Sequence, residues 1–402
     1  VSSPPPVARA SATIQRQPVV HPDRSVFAYA VRGVVPGPNG EGLPEGSVEH
    51  LVDAVLRNVD LSRVAGSRPL IVRATHQLLV SGPDVLDAPH GVVLEVPMAH
   101  QLATGVTSRL ATLTEAAVRL SLADYVGDPE QDALLPYVQM VKVDASLSPS
   151  RLAELVRRGT SAGAVVVAEN ATSRTRVTAA LEAGVELLQG PLVLQRQPAD
   201  ETRTFGAGEV QCFELLRQLS ARDPDPTEYA RTVESDPELS MRVLHLVNSS
   251  ASGVRHKVDS VQLAVVMVGP RRLGALATAA LVGSTPTSME TLWYLLTRAH
   301  ACAALGGDDT SYTVGLLSAV ASYLRVPVTQ MVSRTGVSAA VADALEHRTG
   351  RYGQVLAAVL AQEENDPEAL AASGFDAYDV GRTYLEAVPQ ALSLATRLAQ
   401  AA

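Results

Sequence analysis

Between about Ile14 and Leu194, short apolar runs rich in Val, Ile and Leu alternate with stretches of helical periodicity. Pro69-Leu70-Ile71-Val72, Val92-Val93-Leu94-Glu95-Val96, Val138-Gln139-Met140-Val141-Lys142-Val143 and Ala164-Val165-Val166-Val167-Ala168-Glu169 read as strands buried on both faces. Ser148 to Arg158 and Thr175 to Ala183 supply amphipathic helices between such runs. Strands joined by helices in this way predict a parallel α/β arrangement, and the number of repeats predicts a barrel. Barrels place functional groups at the carboxyl ends of their strands, which singles out Glu95, Asp124, Lys142 and Glu169.

Near Gln195 the alternation breaks into Gln-Arg-Gln-Pro-Ala-Asp, then Gly206-Ala207-Gly208, which reads as a linker. Beyond it the apolar period is helical to the last residue, with Glu209 to Ala221, Pro237 to Val247, Val258 to Val268, Pro270 to Val282, Glu290 to Leu305, Thr310 to Leu324, Ser338 to His347, Gln354 to Glu364 and Tyr378 to Gln400 as candidate helices. In one of them Leu239, Val243, Leu246 and Val247 form an apolar stripe, Pro237 suits the first turn, and Asp236 is placed to cap it. The expected fold is therefore multidomain, α/β followed by all-α. Its divisions are a disordered leader over 1–13, a barrel over 14–198, a linker over 199–208 and a helical domain over 209–402.

Composition narrows the functions open to this fold. A chain of 402 residues with 46% hydrophobic content can bury two cores. A formal charge of -9 and 4% aromatic residues supply neither a basic field nor stacking platforms, so nucleic acid is not an expected partner. Cys212 and Cys302 are too few and too far apart for a disulfide framework or a thiolate metal site, which fits a reducing cytoplasm. No apolar run is long enough to span a bilayer, and Val1-Ser2-Ser3-Pro4-Pro5-Pro6 lacks the pattern of a secretion signal. The expectation is a cytoplasmic protein with no membrane segment and no cofactor.

Two sets of residues resemble known families. Asp236-Pro237-Glu238-Leu239-Ser240 through Val247 into Asn248-Ser249-Ser250, then Val261-Gln262-Leu263-Ala264 and Val268-Gly269, resemble the start of an HDOD domain, a helical output module of bacterial signalling proteins. Arg16-Gln17-Pro18-Val19-Val20, Val26-Phe27-Ala28-Tyr29-Ala30-Val31-Arg32-Gly33, Glu169 and Gln189-Gly190-Pro191 resemble an EAL domain, the TIM-barrel-like fold that hydrolyses cyclic di-GMP. In this order the two are similar to the YuxH-like class of signalling proteins.

The resemblance implies a site that has lost its metals. An active EAL domain holds two divalent ions with carboxylates and an Asn, to activate water and neutralise the departing oxygen. Aligned to Glu-Ala-Leu-Val-Arg-Gly, the first ligand position falls on Ala28, or on Ala30 in a register shifted by two, and Arg32 falls where the family meets phosphate. The Asn position falls on Arg73 and the first of an Asp-Asp pair on Ala123, while Glu95, Asp124, Lys142, Glu169 and Gln189 remain at family positions. A hard cation that needs several oxygen donors is not expected at such a site. On the strand next to Glu95, the Arg73 guanidinium is expected to stand where a metal would and to pair with the orphaned acids.

The helical half resembles a fold related to HD phosphohydrolases, but Ser318-Ala319, within Val314-Gly315-Leu316-Leu317-Ser318-Ala319-Val320-Ala321, stands where a His-Asp pair would. His245, His256, His300 and His347 are scattered singly, and Asp308-Asp309 reads as a helix cap rather than a metal site. Arg271 and Arg272 read as solvated, and Trp293 with Tyr294 as core. The expected function is a non-catalytic signalling adaptor that contacts other signalling proteins through the HDOD domain, with a homodimer left open. The alternative is a metal-independent cyclic di-GMP receptor using Arg32, Lys142, Glu169 and Gln189; a residual phosphodiesterase is the second alternative.

Overall fold

The computed structural model describes residues 12–35, 45–86, 90–190, 207–221, 224–248, 257–283, 286–324 and 326–400. The expected leader and linker lie mostly outside these. Thr13 already belongs to the first strand, and Ala207 opens a helix.

Eight strands close a barrel in chain order: β1 Thr13–Val20, β2 Val26–Val34, β3 Leu70–Arg73, β4 Val92–Val96, β5 Arg119–Leu122, β6 Met140–Asp144, β7 Val165–Glu169 and β8 Leu187–Gln189. β1 is antiparallel to both its neighbours, β2 and β8; every other pair is parallel. Because side chains alternate along a strand, inward positions build layers. Val19, Ala28, Ile71, Val93, Met140, Val167 and Leu187 belong to one buried apolar cluster. Two residues further along β3, β4, β6, β7 and β8 come Arg73, Glu95, Lys142, Glu169 and Gln189. The strand sequences thus change from apolar to ionic, or on β8 to an amide, within one inward step at the barrel mouth. Helix Pro149–Ser161 lies close over β6 and β7, since a Cβ at Gly159 would stand 2.9 Å from Val141 and 3.0 Å from Val166.

The second compact unit comprises Leu194–Leu360 and Thr383–Ala402 and is helical in its described residues. Asp236 caps helix Pro237–Asn248, accepting from the backbone N–H of Glu238 at 2.8 Å and of Leu239 at 3.1 Å. The predicted stripe of Leu239, Val243, Leu246 and Val247 is buried. Trp293 is core, its indole N–H donating to the Val388 carbonyl at 2.8 Å. Asp308 caps the helix that follows it, accepting from Ser311 N–H at 2.8 Å. Arg271 is not simply solvated, because it is ion-paired with Asp309.

Helices Pro226–Glu234, Val328–Thr335 and Pro367–Ala372 are absent from the sequence expectation. Each is too short for its apolar period to stand out. Two carry a start signal in Asp225-Pro226 and Asp366-Pro367, where the Asp caps and the Pro fills the first turn. Ala361–Arg382, which periodicity alone assigns to the helical domain, groups with the barrel. Among the described residues no single helix is long and apolar enough to cross a membrane.

Helices Pro286–Gly306 and Asp309–Leu324 meet at Gly315, where an added Cβ would stand 2.9 Å from Ala299 Cα, the Arg298 carbonyl oxygen and Cys302 Cβ. Backbone on one side leaves little room to yield. Gly315→Val is expected to destabilise by about 1–3 kcal/mol, read as a lower urea midpoint by circular dichroism. An unchanged midpoint would show that the two helices part without penalty.

Candidate functional site

β3 and β4 pair with Arg73 opposite Glu95, and both side chains turn into the barrel mouth. Arg73 Nη1 donates to Glu95 Oε1 at 2.9 Å, and Nη2 donates to Asp124 Oδ2 at 3.2 Å. Lys142, from β6, pairs through Nζ with the other oxygen of Glu95. The Lys142 and Glu95 side chains are only 2% and 5% exposed, so this pair lies in the interior and not on a solvated rim. Asp124 is reached just past β5 with φ of 51°, a left-handed conformation that Asp tolerates better than most residues.

Two buried glutamines hold the loop that carries Asp124. Gln101 donates to the carbonyls of Val96 and Ala123, both at 2.8 Å. Gln131 donates to the Asp124 carbonyl at 3.0 Å and to Gln101 at 2.8 Å, and accepts from Val126 N–H at 2.8 Å. The sequence reading missed both, because an isolated Gln in an amphipathic run resembles a surface residue. Their role is positional: they fix the turn from which Asp124 meets Arg73.

The ionic states follow from these contacts. Burial works against the charged form of Glu95, but the Lys142 ammonium and then the Arg73 guanidinium outweigh it and hold its pKa below the ordinary carboxylate value. Glu169, on β7, feels Lys142 and Arg73 less strongly than it feels burial. Burial pushes its pKa up to about 7; Lys142 opposes this, while the negative charges of Glu95 and Asp124 add to it. Gln189 donates to Gln17 at 3.0 Å across β8 and β1, and Arg32 Nε donates to Gln15 at 2.6 Å. Arg32, Arg73, Glu95, Lys142, Glu169 and Gln189 line one cavity of about 160 Å³. Ala30 faces that cavity, while Ala28 lies a layer deeper in the apolar core.

The residues present do not fit the two-metal centre of an active EAL domain. Neither Ala28 nor Ala30 offers a side-chain oxygen, Ala123 is fully buried, and Arg73 brings a fixed positive charge onto Glu95 and Asp124. Among the described residues no group of three or more His, Cys, Asp or Glu is disposed to hold a metal ion.

In the helical unit Ser318 receives a hydrogen bond from Arg298 at 3.3 Å and Ala319 is fully buried. His300 packs edge-on against Tyr312 with ring centroids 5.4 Å apart. Burial, aided by Arg271, lowers its pKa to about 4, so it is neutral at pH 7. His245 and His347 belong to separate helices, and His256 lies outside the described residues.

The HDOD domain family model matches residues 210–330. The chain is 23% identical over 406 residues to the uncharacterized protein YuxH of Bacillus subtilis, an alignment covering 93% of this chain and 97% of that protein. It is 24% identical over 343 residues to the cyclic di-GMP phosphodiesterase CdgJ of Vibrio cholerae, covering 81% of this chain and 78% of that protein. Among solved structures, the EAL domain of Mycobacterium smegmatis DcpA is 18% identical with a TM-score of 0.37, covering 46% of this chain and 92% of that domain. The HDOD match falls within the helical unit, which follows the eight-stranded barrel along the chain.

Proposed function

We propose that this protein is a non-catalytic adaptor of cyclic di-GMP signalling, acting in the cytoplasm through protein contacts of its HDOD domain, with a barrel that no longer hydrolyses the messenger. The observation that carries this reading is Arg73, at the position of the family's Asn ligand, placed on both Glu95 and Asp124. Two-metal hydrolysis needs ions that bind water and lower its pKa while they clamp the attacking and leaving oxygens. A guanidinium and an ammonium supply positive charge but have no vacant coordination position. The link to cyclic di-GMP draws on the phosphodiesterase CdgJ, a relative at 24% identity. The helical unit contributes Ser318 and Ala319 where a metal-binding pair would be needed, which favours output by binding other signalling proteins.

A second reading is a metal-independent cyclic di-GMP receptor, favoured by one observation. Arg32, Lys142, Glu169 and Gln189 line a single polar cavity, which offers cationic and amide donors to a phosphate or a base edge.

Incubated with cyclic di-GMP and Mg2+ or Mn2+, the purified protein is expected to yield no linear product above an EDTA control. Metal-dependent turnover that Glu169→Gln abolishes would contradict the adaptor and receptor readings alike.

The raised pKa of Glu169 gives a pH signature with a definite sign. The folded state binds this proton more tightly than the unfolded state, so stability falls as pH rises from the ordinary carboxylate range through about 7. Glu169→Gln removes that penalty, and its stability advantage over the parent is expected to grow between pH 5 and pH 8 towards about 3 kcal/mol. A constant difference across that window would show that Glu169 is ionised throughout.

A further inference from the structure

The barrel mouth is lined by residues from a distant part of the sequence as well as by strand ends. Glu364 and Asn365 border the same cavity as Arg73, Lys142 and Glu169. A second cavity of about 80 Å³ separates Gln362, Asn365, Asp366 and Leu370 from Thr13, Gln15 and Arg32 of β1 and β2. Helix Gly350–Glu364 stops here because Asn365 turns left-handed, with φ of 56°, and Asp366 N–H bonds back to the Ala361 carbonyl at 2.9 Å. Asp366 then caps the next helix, accepting from Ala369 N–H at 2.9 Å. Both ends of the turn are thus fixed by hydrogen bonds.

The segment is seated closely. Leu370 is 6% exposed, and a Cβ at Gly381 would stand 2.5 Å from Thr13 Oγ1 and 2.8 Å from Thr13 Cγ2. With the turn in place the mouth cavity has about 160 Å³. Small-molecule sites have roughly 300–1,000 Å³, so the space beside the turn is smaller than one that would enclose a cyclic dinucleotide. Within that cavity the side-chain oxygens of Gln189 and Asn365 are buried and accept no hydrogen bond. Buried acceptors of this kind favour a state in which a donor reaches them.

We infer that Ala361–Arg382 is an intramolecular plug. The turn at Glu364–Asp366 stands on the ground that a phosphate-bearing ligand would take, and the mouth opens only when the segment leaves β1 and β2. As a gate for cyclic di-GMP this rests on the receptor reading; as a closure of the mouth it does not.

The test separates the two. Gln17 lines the cavity, and both native cysteines are buried, so Gln17→Cys provides an alkylation site at the mouth. Its rate with a charged maleimide is compared in the full chain with and without Gly381→Val or Leu370→Asp, two independent ways of unseating the segment. Hydrogen exchange of 361–382 verifies release, and circular dichroism verifies folding. Release is expected to raise the labelling rate at least tenfold and to bring a calorimetric response to cyclic di-GMP that the parent lacks. Faster labelling without any binding would keep the plug and sink the receptor reading. Unchanged labelling after verified release, or tight binding by the parent while 361–382 stays protected, would overturn the plug.

Discussion

A carboxylate buried at the mouth of a barrel has to be neutralised, and the arrangement around Glu95 is one solution to that constraint. A metal ion, a proton or a cationic side chain can each do it. Here Lys142 comes from β6 and Arg73 from the adjacent β3, so two strands on different sides of β4 converge on one acid. The rest of the mouth follows. Arg73 has a second nitrogen to give and draws in Asp124, whose loop is held by Gln101 and Gln131. At Glu169 burial outweighs the pull of Lys142 and Arg73 and pushes the pKa up to about 7.

This charge distribution bears directly on chemistry. Fixed cations satisfy the acids but bring no water with a lowered pKa, so a site built from them favours recognition over hydrolysis. The cavity retains polar groups suited to an anionic ligand, and Glu364 and Asn365 lie along its edge, where the proposed plug restricts it. Loss of catalysis and restriction of access are separable properties. In the proposed reading the first follows from Arg73 and the second from the turn at Asn365.

Much of this was legible in the sequence, for identifiable reasons. β4 and β7 show themselves as Val-rich runs because both of their faces are buried, and the ionic residues that end those runs mark the mouth. Arg73 beside Glu95 follows from strand adjacency once the two runs are recognised. Other features were hidden. Gln101 and Gln131 act through buried hydrogen bonds that no spacing rule reports. The grouping of Ala361–Arg382 with the barrel escaped because a helical period reveals which face is apolar but not what covers it. Asn365 offered only a generic helix-stop signal, and its position at the mouth depends on long-range packing.

Arg73 and Lys142 are the side-chain cations that neutralise Glu95 among the described residues. A double-mutant cycle on Glu95 and Lys142, measured by urea unfolding in EDTA, tests this most directly. Lys142→Met alone, which leaves Arg73 on Glu95, should lower stability by roughly 1–3 kcal/mol, and adding Glu95→Gln should recover most of that loss. A Lys142→Met single variant as stable as the parent, or losses that merely add, would contradict the account.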